Sequence, residues 1–355
     1  MNLRSFGRKV PYNDPFINPE MTNLLKMKTN KVSLKLYLLL LVLPVAIVIN
    51  SCSNREDKSV RNADGTIKGN ISISGAFALY PMAILWAEEF QKINPEVRID
   101  ISAGGAGKGM TDALSQMVDL GMFSREVTEA EQAKGAWYIA VAKDAVVATY
   151  NTGSSATQLI KEKGMSKEML MDIYLNGKVK TWGDLYKNGD KTRLNAYTRS
   201  DACGAAEMWA KYMGSNQESL NGIGVFGDPG IADAVKNDKT GLGYNNVNYA
   251  YDMNTRKPYA GLSVVPIDLN NDGKITEDEY FYDSLDSIMS AIASGKYPSP
   301  PARDLYFVSK GKPKNIAVTE FLKWIVTDGQ KFVHKAGYVN LTDEKIKSEL
   351  QKLAE

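Results

Sequence analysis

The sequence predicts an α/β protein with room for two domains, and three observations carry that prediction. Its 355 residues are enough for two domains of ordinary size. Short alternating strands are followed by amphipathic helices along much of the chain. Two small-residue turns, at 102–110 and 197–204, each end a strand and open a helix, and they lie in separate halves of the chain.

Composition narrows the function classes. Hydrophobic residues make up 44% and charged residues 24%, a globular balance. The formal charge is +2, but residues 1–51 hold seven Lys/Arg and two acids, so the remainder has 36 basic and 39 acidic residues, a net of −3. That balance gives no case for nucleic acid. The two cysteines, Cys52 and Cys203, are too few for a disulfide framework.

Lys26, Lys28, Lys31 and Lys35 precede an apolar run at 36–49. A basic segment before an apolar run of this length reads as a secretory signal, too short for a comfortable membrane span. Met21 or Met27 would serve equally as its start. Ile49, Asn50, Ser51 and Cys52 resemble a bacterial lipobox, with Asn50 a departure from it. The lipobox implies cleavage before Cys52 and acylation of that cysteine. The alternative is a single N-terminal anchor, and either places the rest of the chain outside the cytoplasm. Residues 53–68 are polar and read as a flexible tether.

Alternation over 70–75 predicts a strand ending at Gly75. A helix over 81–92 follows, opened by Pro81, with Met82, Leu85, Trp86 and Phe90 on one face as core. A strand over 97–101 leads into the turn carrying Gly104, Gly105, Gly107, Lys108 and Gly109. Glycines there let backbone N–H groups approach a ligand or let a helix pack closely on a strand. No Walker A spacing is present. A strand over 117–123 runs into Ser124 and Arg125, and the apolar stretch 137–150 reads as strand passing between domains. The second turn carries Arg199, Asp201, Cys203, Gly204 and Ala205 before a helix. A helix N-terminus with free N–H groups beside a fixed guanidinium suits an oxyanion; the plain alternative is an ordinary turn with Arg199 in a surface ion pair.

In this order the elements resemble the periplasmic phosphate-binding proteins of ABC transporters. The resemblance rests on the glycine-ended strand, the helix with Pro81 and Trp86, the glycine-rich turn, Val118 to Gly121, the stretch 169–182 ending in Trp182, Arg199 to Gly204, and Gly241 to Asn245, and spans about 68–345. It implies a two-lobed periplasmic-binding-protein fold with a ligand cleft between lobes and a two-segment hinge. Lobe 1 would comprise 69–147 plus 253–355, and lobe 2 would comprise 148–252. It also implies a monomeric binding protein that hands phosphate or a similar oxyanion to membrane permease subunits. The ligand contacts it implies fall on Ala76, Phe77, Ala78, Gly107, Ser124, Arg199, Asp201, Cys203, Gly204 and Ala205, and Lys108, Ser124 and Arg125 are this chain's own candidates to compensate for contacts the pattern has lost. Several hydroxyls of the pattern are missing at these positions, and the acid that accepts the proton of hydrogen phosphate falls on Ser124. Each lost hydrogen bond to a charged ligand removes roughly 1.5–3 kcal/mol, about one to two decades of affinity. Weaker discrimination among oxyanions, or a different anionic ligand, is therefore expected.

Residues 268–279 match the twelve-residue calcium loop of EF-hands, with oxygen ligands from Asp268, Asn270 and Asp272, the Lys274 carbonyl and Glu279, and a turn at Gly273. The strand-like stretch 262–267 before it predicts a structural calcium clip; a solvated acidic turn is the alternative. Helices are expected over 284–294 and 317–326, with a strand over 304–309 between them. Nothing in the spacing puts Arg303 at a cleft, and His334 reads as surface or core. Two further function classes stand beside the transport reading: an enzyme using Cys203 as nucleophile, which lacks a histidine partner near it in sequence, and a sensor lipoprotein that kept the fold without transport.

Overall fold

The computed structural model describes residues 59–354, so the leader, the lipobox and Cys52 lie outside the described residues. Among the described residues no helix is long and apolar enough to cross a membrane. The expected tether is corrected at its C-terminal end. β1 (Val60–Arg61) pairs antiparallel with the start of β2 (Ile67–Gly75). The turn between them is closed by Asn62 and Asp64, whose side chains bond Thr66, and by Gly65 at φ 88°.

Strands and helices then alternate as α1 (Tyr80–Ile93), β3 (Glu96–Ala103), α2 (Ala106–Leu114), β4 (Leu120–Phe123) and the single turn α3 (Glu129–Ala133). The long β5 (Ala136–Asn151) follows. After it come α4 (Thr157–Lys163), β6 (Met165–Ser166), α5 (Lys167–Tyr174), α6 (Trp182–Tyr186), β7 (Asn195–Arg199) and α7 (Gly204–Tyr212). The chain continues through β8 (Ile223–Val225), α8 (Gly227–Asn237), β9 (Gly241–Asn246), α9 (Val247–Ala250), β10 (Leu262–Val264) and β11 (Ile267–Asp268). It closes with α10 (Leu285–Ser294), β12 (Ala302–Lys310), α11 (Ile316–Ile325) and α12 (Asp343–Ala354).

A curled mixed sheet runs β1-β2-β4-β12-β5-β9-β7-β8, with β3 beside β2 and β10 beside β5. The connections β2–α1–β3 and β7–α7–β8 join parallel strands, as crossover helices require. β5 spans the two lobes: residues 136–145 pair with β12, and residues 146–150 pair with β9. This is the apolar stretch that the sequence marked as passing between domains.

Each lobe has its own core. In the first, Met82, Trp86 and Phe90 of α1 pack with Phe321 of α11 and with Ile71 and Ile73 of β2. The Trp86 indole N–H donates to the Gly329 carbonyl at 2.9 Å, so the buried ring leaves no polar atom unpaired. In the second, Trp209 of α7 stacks on Tyr244 of β9 and meets Tyr174 edge-on. A third cluster, from β5, α9, α10 and Tyr297, fills the space beneath the hinge strand.

The glycine-rich turn divides its work. Gly109, Gly75 and Gly121 lock α2 against β2 and β4, and a Cβ at any of the three would strike a main-chain carbonyl. Gly105, at φ 91°, instead turns its Cα face toward Asp201 and Ala202 of the other lobe. The close helix–strand packing weighed from the sequence is thus filled by Gly109, with Gly75 and Gly121 on the facing strands, while Gly105 permits the close approach of the other lobe.

Candidate functional site

Four segments meet where the lobes face each other. The first is the Ala76–Ala78 turn before α1. Its main-chain carbonyls are held from the hinge side: Tyr249 donates to the Phe77 carbonyl at 3.1 Å and Tyr338 to the Ala78 carbonyl at 2.8 Å. The second is the N-terminus of α2, where the Gly107 N–H donates to the Ala202 carbonyl at 3.1 Å. The third is Ser124 at the end of β4, buried and so close to Gly204 that a Cβ there would overlap the serine's carbonyl and hydroxyl. The fourth is the turn from Arg199 to Ala205 opening α7. The cleft is therefore closed, with the two small-residue turns in direct contact.

Arg199 organises the lobe-2 side. It emerges from β7 with its side chain 1% exposed. Nε and Nη2 grip Asp201 at 2.8 and 2.6 Å, and Nη1 donates to Asp228 at 2.5 Å. Burial works against its charge, yet Asp228 and Asp201 hold its pKa above the usual arginine value. The Phe77 ring lies over the guanidinium, 5.5 Å from centroid to Cζ, and meets Phe226 edge-on at 5.8 Å across the cleft mouth. The surface ion pair weighed from the sequence is corrected: the pairing is buried and uses two carboxylates.

Helix α7 presents its first N–H groups here. Cys203 is its N-cap, with Sγ accepting from the Ala206 N–H at 3.4 Å, which leaves the Gly204 and Ala205 N–H groups without an intrahelical partner. Burial pushes the Cys203 thiol up to about 12, against the pull of Arg199, so it is a neutral thiol at physiological pH. That chemistry suits a cap and not a nucleophile.

Two cations expected at the cleft are engaged by acids near them in sequence. Lys108 is drawn to Asp112 one turn along α2, and Arg125 forks onto Glu131 of α3 at 2.7 and 3.0 Å. Their side-chain hydrogen bonds and ion pairs go to Asp112, the Glu126 carbonyl and Glu131, and none goes to the 199–205 turn. His334 is exposed.

The sequence reading missed four residues that complete the site. Arg303 of β12 is buried, donates from Nε to the Ser124 carbonyl at 3.2 Å, and bonds the Asn246 amide oxygen through Nη2. The Asn246 N–H in turn donates to Asp228 at 2.9 Å. Asp144 sits opposite Arg303 in the β5–β12 register. One polar chain thus runs from Asp201 through Arg199, Asp228, Asn246 and Arg303 to Ser124, crossing from lobe to lobe. A signal was available for Asp144, an acid inside an otherwise apolar strand. Nothing in the sequence marks Asp228, which stands between Gly227 and Pro229.

The 268–279 loop lies away from these segments. Asp268 accepts from the Asp272 and Gly273 N–H groups, and Glu279 from those of Leu269, Asn270 and Thr276. A single 3-10 turn, Glu277–Glu279, forms the end of the loop where an EF-hand would start its exiting α-helix. β11 and Ile275 tie the loop to β6 and to the Glu162 carbonyl. The carboxylates of Asp268, Asp272 and Glu279 all accept from main-chain N–H groups, and among the described residues no three acidic, His or Cys side chains gather as a metal cluster.

Residues 60–329 match the family model described as a PBP superfamily domain. The chain belongs to this superfamily of periplasmic binding proteins. Among curated relatives of this PBP chain, the phosphate-binding protein PstS of Bacillus subtilis (strain 168) is 25% identical over 333 residues, covering 90% of this chain and 97% of the relative. The PstS of Staphylococcus epidermidis (strain ATCC 12228 / FDA PCI 1200) is 25% identical over 318 residues, covering 88% and 90%. The fold is shared with a putative phosphate ABC transporter substrate-binding protein with bound phosphate from Clostridium perfringens, at TM-score 0.62 and 20% identity over 77% of this chain and all of that one. An ABC-type phosphate transport receptor from Vibrio cholerae gives TM-score 0.55 at 16% identity, over 76% of this chain and all of that one. The PBP architecture of two lobes about a cleft is what the curled sheet and the long β5 build.

Proposed function

We propose that this chain is the lipid-anchored, extracytoplasmic binding protein of an ABC importer and that it captures an inorganic oxyanion, foremost phosphate. The observation that carries the reading is the meeting of the Ala76–Ala78 turn, Ser124 and the α7 N-terminus beside a buried arginine in a closed cleft. Unpaired N–H groups and a partial positive charge at a helix N-terminus suit a tetrahedral anion. The relatives named for phosphate binding support the choice of anion. The importer's permease subunits and the lipid on Cys52 belong to the same proposal.

Calorimetric titration of the purified protein with phosphate, then with sulfate, phosphonates and phosphate esters, tests it. Phosphate is expected to bind at micromolar affinity or tighter. Arg199→Ala is expected to weaken it by one decade or more, the size of a lost charge-assisted bond. Phosphate failing to bind while another anion of the panel binds would reassign the ligand.

The 268–279 loop is proposed as a calcium clip. Its donors are all oxygen, from Asp268, Asn270, Asp272, the Lys274 carbonyl and Glu279, which suits that cation. The ion would replace some of the N–H groups that now occupy the carboxylates. Calcium at about 100 times its Kd is expected to stabilise the fold by roughly 2.7 kcal/mol, read as a rise in Tm over the EGTA-treated protein. Glu279→Gln is expected to remove most of that rise, and an equal Tm with and without calcium would refute the clip.

A further inference from the structure

Asp144 is 1% exposed, and neither of its carboxylate oxygens has a hydrogen bond of ordinary geometry; the main-chain N–H groups that favour its charge, Ala145 and Val247, reach it only outside that geometry. Its nearest cation is Arg303, whose Nη1 stands 3.5 Å from Oδ2 and is itself without a hydrogen-bond partner. Buried ionised carboxylates are ordinarily paired and fully hydrogen-bonded, because the charge is costly to desolvate. Asp144 is left in this condition one cross-strand pair from Arg303, whose Nε holds the Ser124 carbonyl.

The groups facing it come from several elements. Arg303 lies on β12, Asp228 on α8, Tyr249 on α9, and Tyr338 on the segment before α12; the main-chain N–H groups of Ala145 and Val247 lie nearby. Through Arg303 and Asn246 the acid joins the polar chain that ends at Arg199 and Asp201. That chain holds two guanidinium groups and, with Asp144, three carboxylates, all with side chains at most 8% exposed. With Asp144 ionised the buried charge sums to −1, and with Asp144 protonated it sums to zero. An anion arriving at Ser124 and the α7 N-terminus meets that excess charge in surroundings that screen it poorly.

We propose that anion capture at this cleft is coupled to proton uptake by Asp144: a proton from bulk solvent adds to its carboxylate as the anion enters, so the site takes up anion and proton together. The inference rests on the oxyanion reading above. The titration range agrees with it. Burial pushes the Asp144 carboxyl up to about 6, and Asp228 pushes the same way, while Arg303 and the Ala145 and Val247 N–H groups pull it down. At neutral pH the ligand-free carboxyl is therefore mostly ionised, and a further nearby negative charge moves it toward protonation. Uptake should approach one proton near neutral pH and vanish below about pH 5, where the acid is already protonated.

The test is calorimetry with inorganic phosphate at pH 7 in buffers of different ionisation enthalpy, on the wild type and on Asp144→Asn. Phosphate's own protonation is common to both, so the difference isolates Asp144. The wild type is expected to take up between half a proton and one proton more than the variant. Should the variant not fold, carboxyl 13C titration of the wild type decides. One aspartate is expected to titrate near pH 6 without phosphate and about two pH units higher with it. Phosphate binding with equal uptake in both proteins, or with no aspartate responding to phosphate, would overturn the coupling alone. Failure of phosphate to bind the wild type would overturn the coupling together with the phosphate assignment.

Discussion

Asp228→Ala will destabilise the protein by about 3–5 kcal/mol, the range for removing one partner of a buried ion pair. Asp228 is fully buried, and its two oxygens serve different lines: one accepts from Arg199 and the other from the Asn246 N–H. Truncation leaves the Nη1 edge of a buried guanidinium unpaired and orphans a main-chain donor. It also cuts the polar chain between the lobes at its midpoint. Asp228→Asn, which keeps the shape and one acceptor, should lose less. The exposed Arg61–Glu320 pair is the internal standard, since exposed pairs contribute about 0–1 kcal/mol. Denaturant unfolding of these variants measures the difference. A loss at Asp228 no larger than that of Glu320→Ala would mean that Asp201 alone neutralises Arg199.

Gly204→Ala will weaken phosphate binding about 100-fold or more. Gly204 begins α7, where alanine is a good helix former, so the variant suffers no local backbone penalty. The obstacle lies across the cleft, where the new methyl would overlap the Ser124 carbonyl and hydroxyl. The lobes must then stand apart, and an anion held by both loses at least one lobe's hydrogen bonds. At roughly 1.5–3 kcal/mol each, two such bonds correspond to two decades or more. Calorimetry reads the affinity, and small-angle scattering reads whether phosphate still compacts the variant. Wild-type affinity in Gly204→Ala would show that the ligand does not require this contact.

The chain-local part of the protein was legible in the sequence because its causes are local. Apolar spacing and Pro81 marked the helix that the structure places at Tyr80–Ile93. Ser284 and Gly295 bracket Leu285–Ser294 as N-cap and left-handed C-cap, close to the helix expected over 284–294. The two small-residue turns announced themselves by composition, and the order of elements was enough to indicate the PBP architecture. The hairpin at Val60–Lys68 was missed because polar residues closing a turn look the same as polar residues in a linker.

What the sequence could not decide is which charges meet. Arg199 and Asp228 are 29 positions apart, and Arg303 and Asn246 are 57 apart. No periodicity links residues on different elements at such separations. Lys108 and Arg125 seemed as available to a cleft as Arg199, yet their partners Asp112 and Glu131, four and six residues away, claim them. Short-range pairing along a helix is favoured wherever geometry allows it, whereas the buried network requires the sheet to bring β4, β5, β9 and β12 side by side. The sequence by itself determined the elements, their order and the two turns. Tertiary structure alone decided the charge balance between the lobes, because burial and through-space pairing set it.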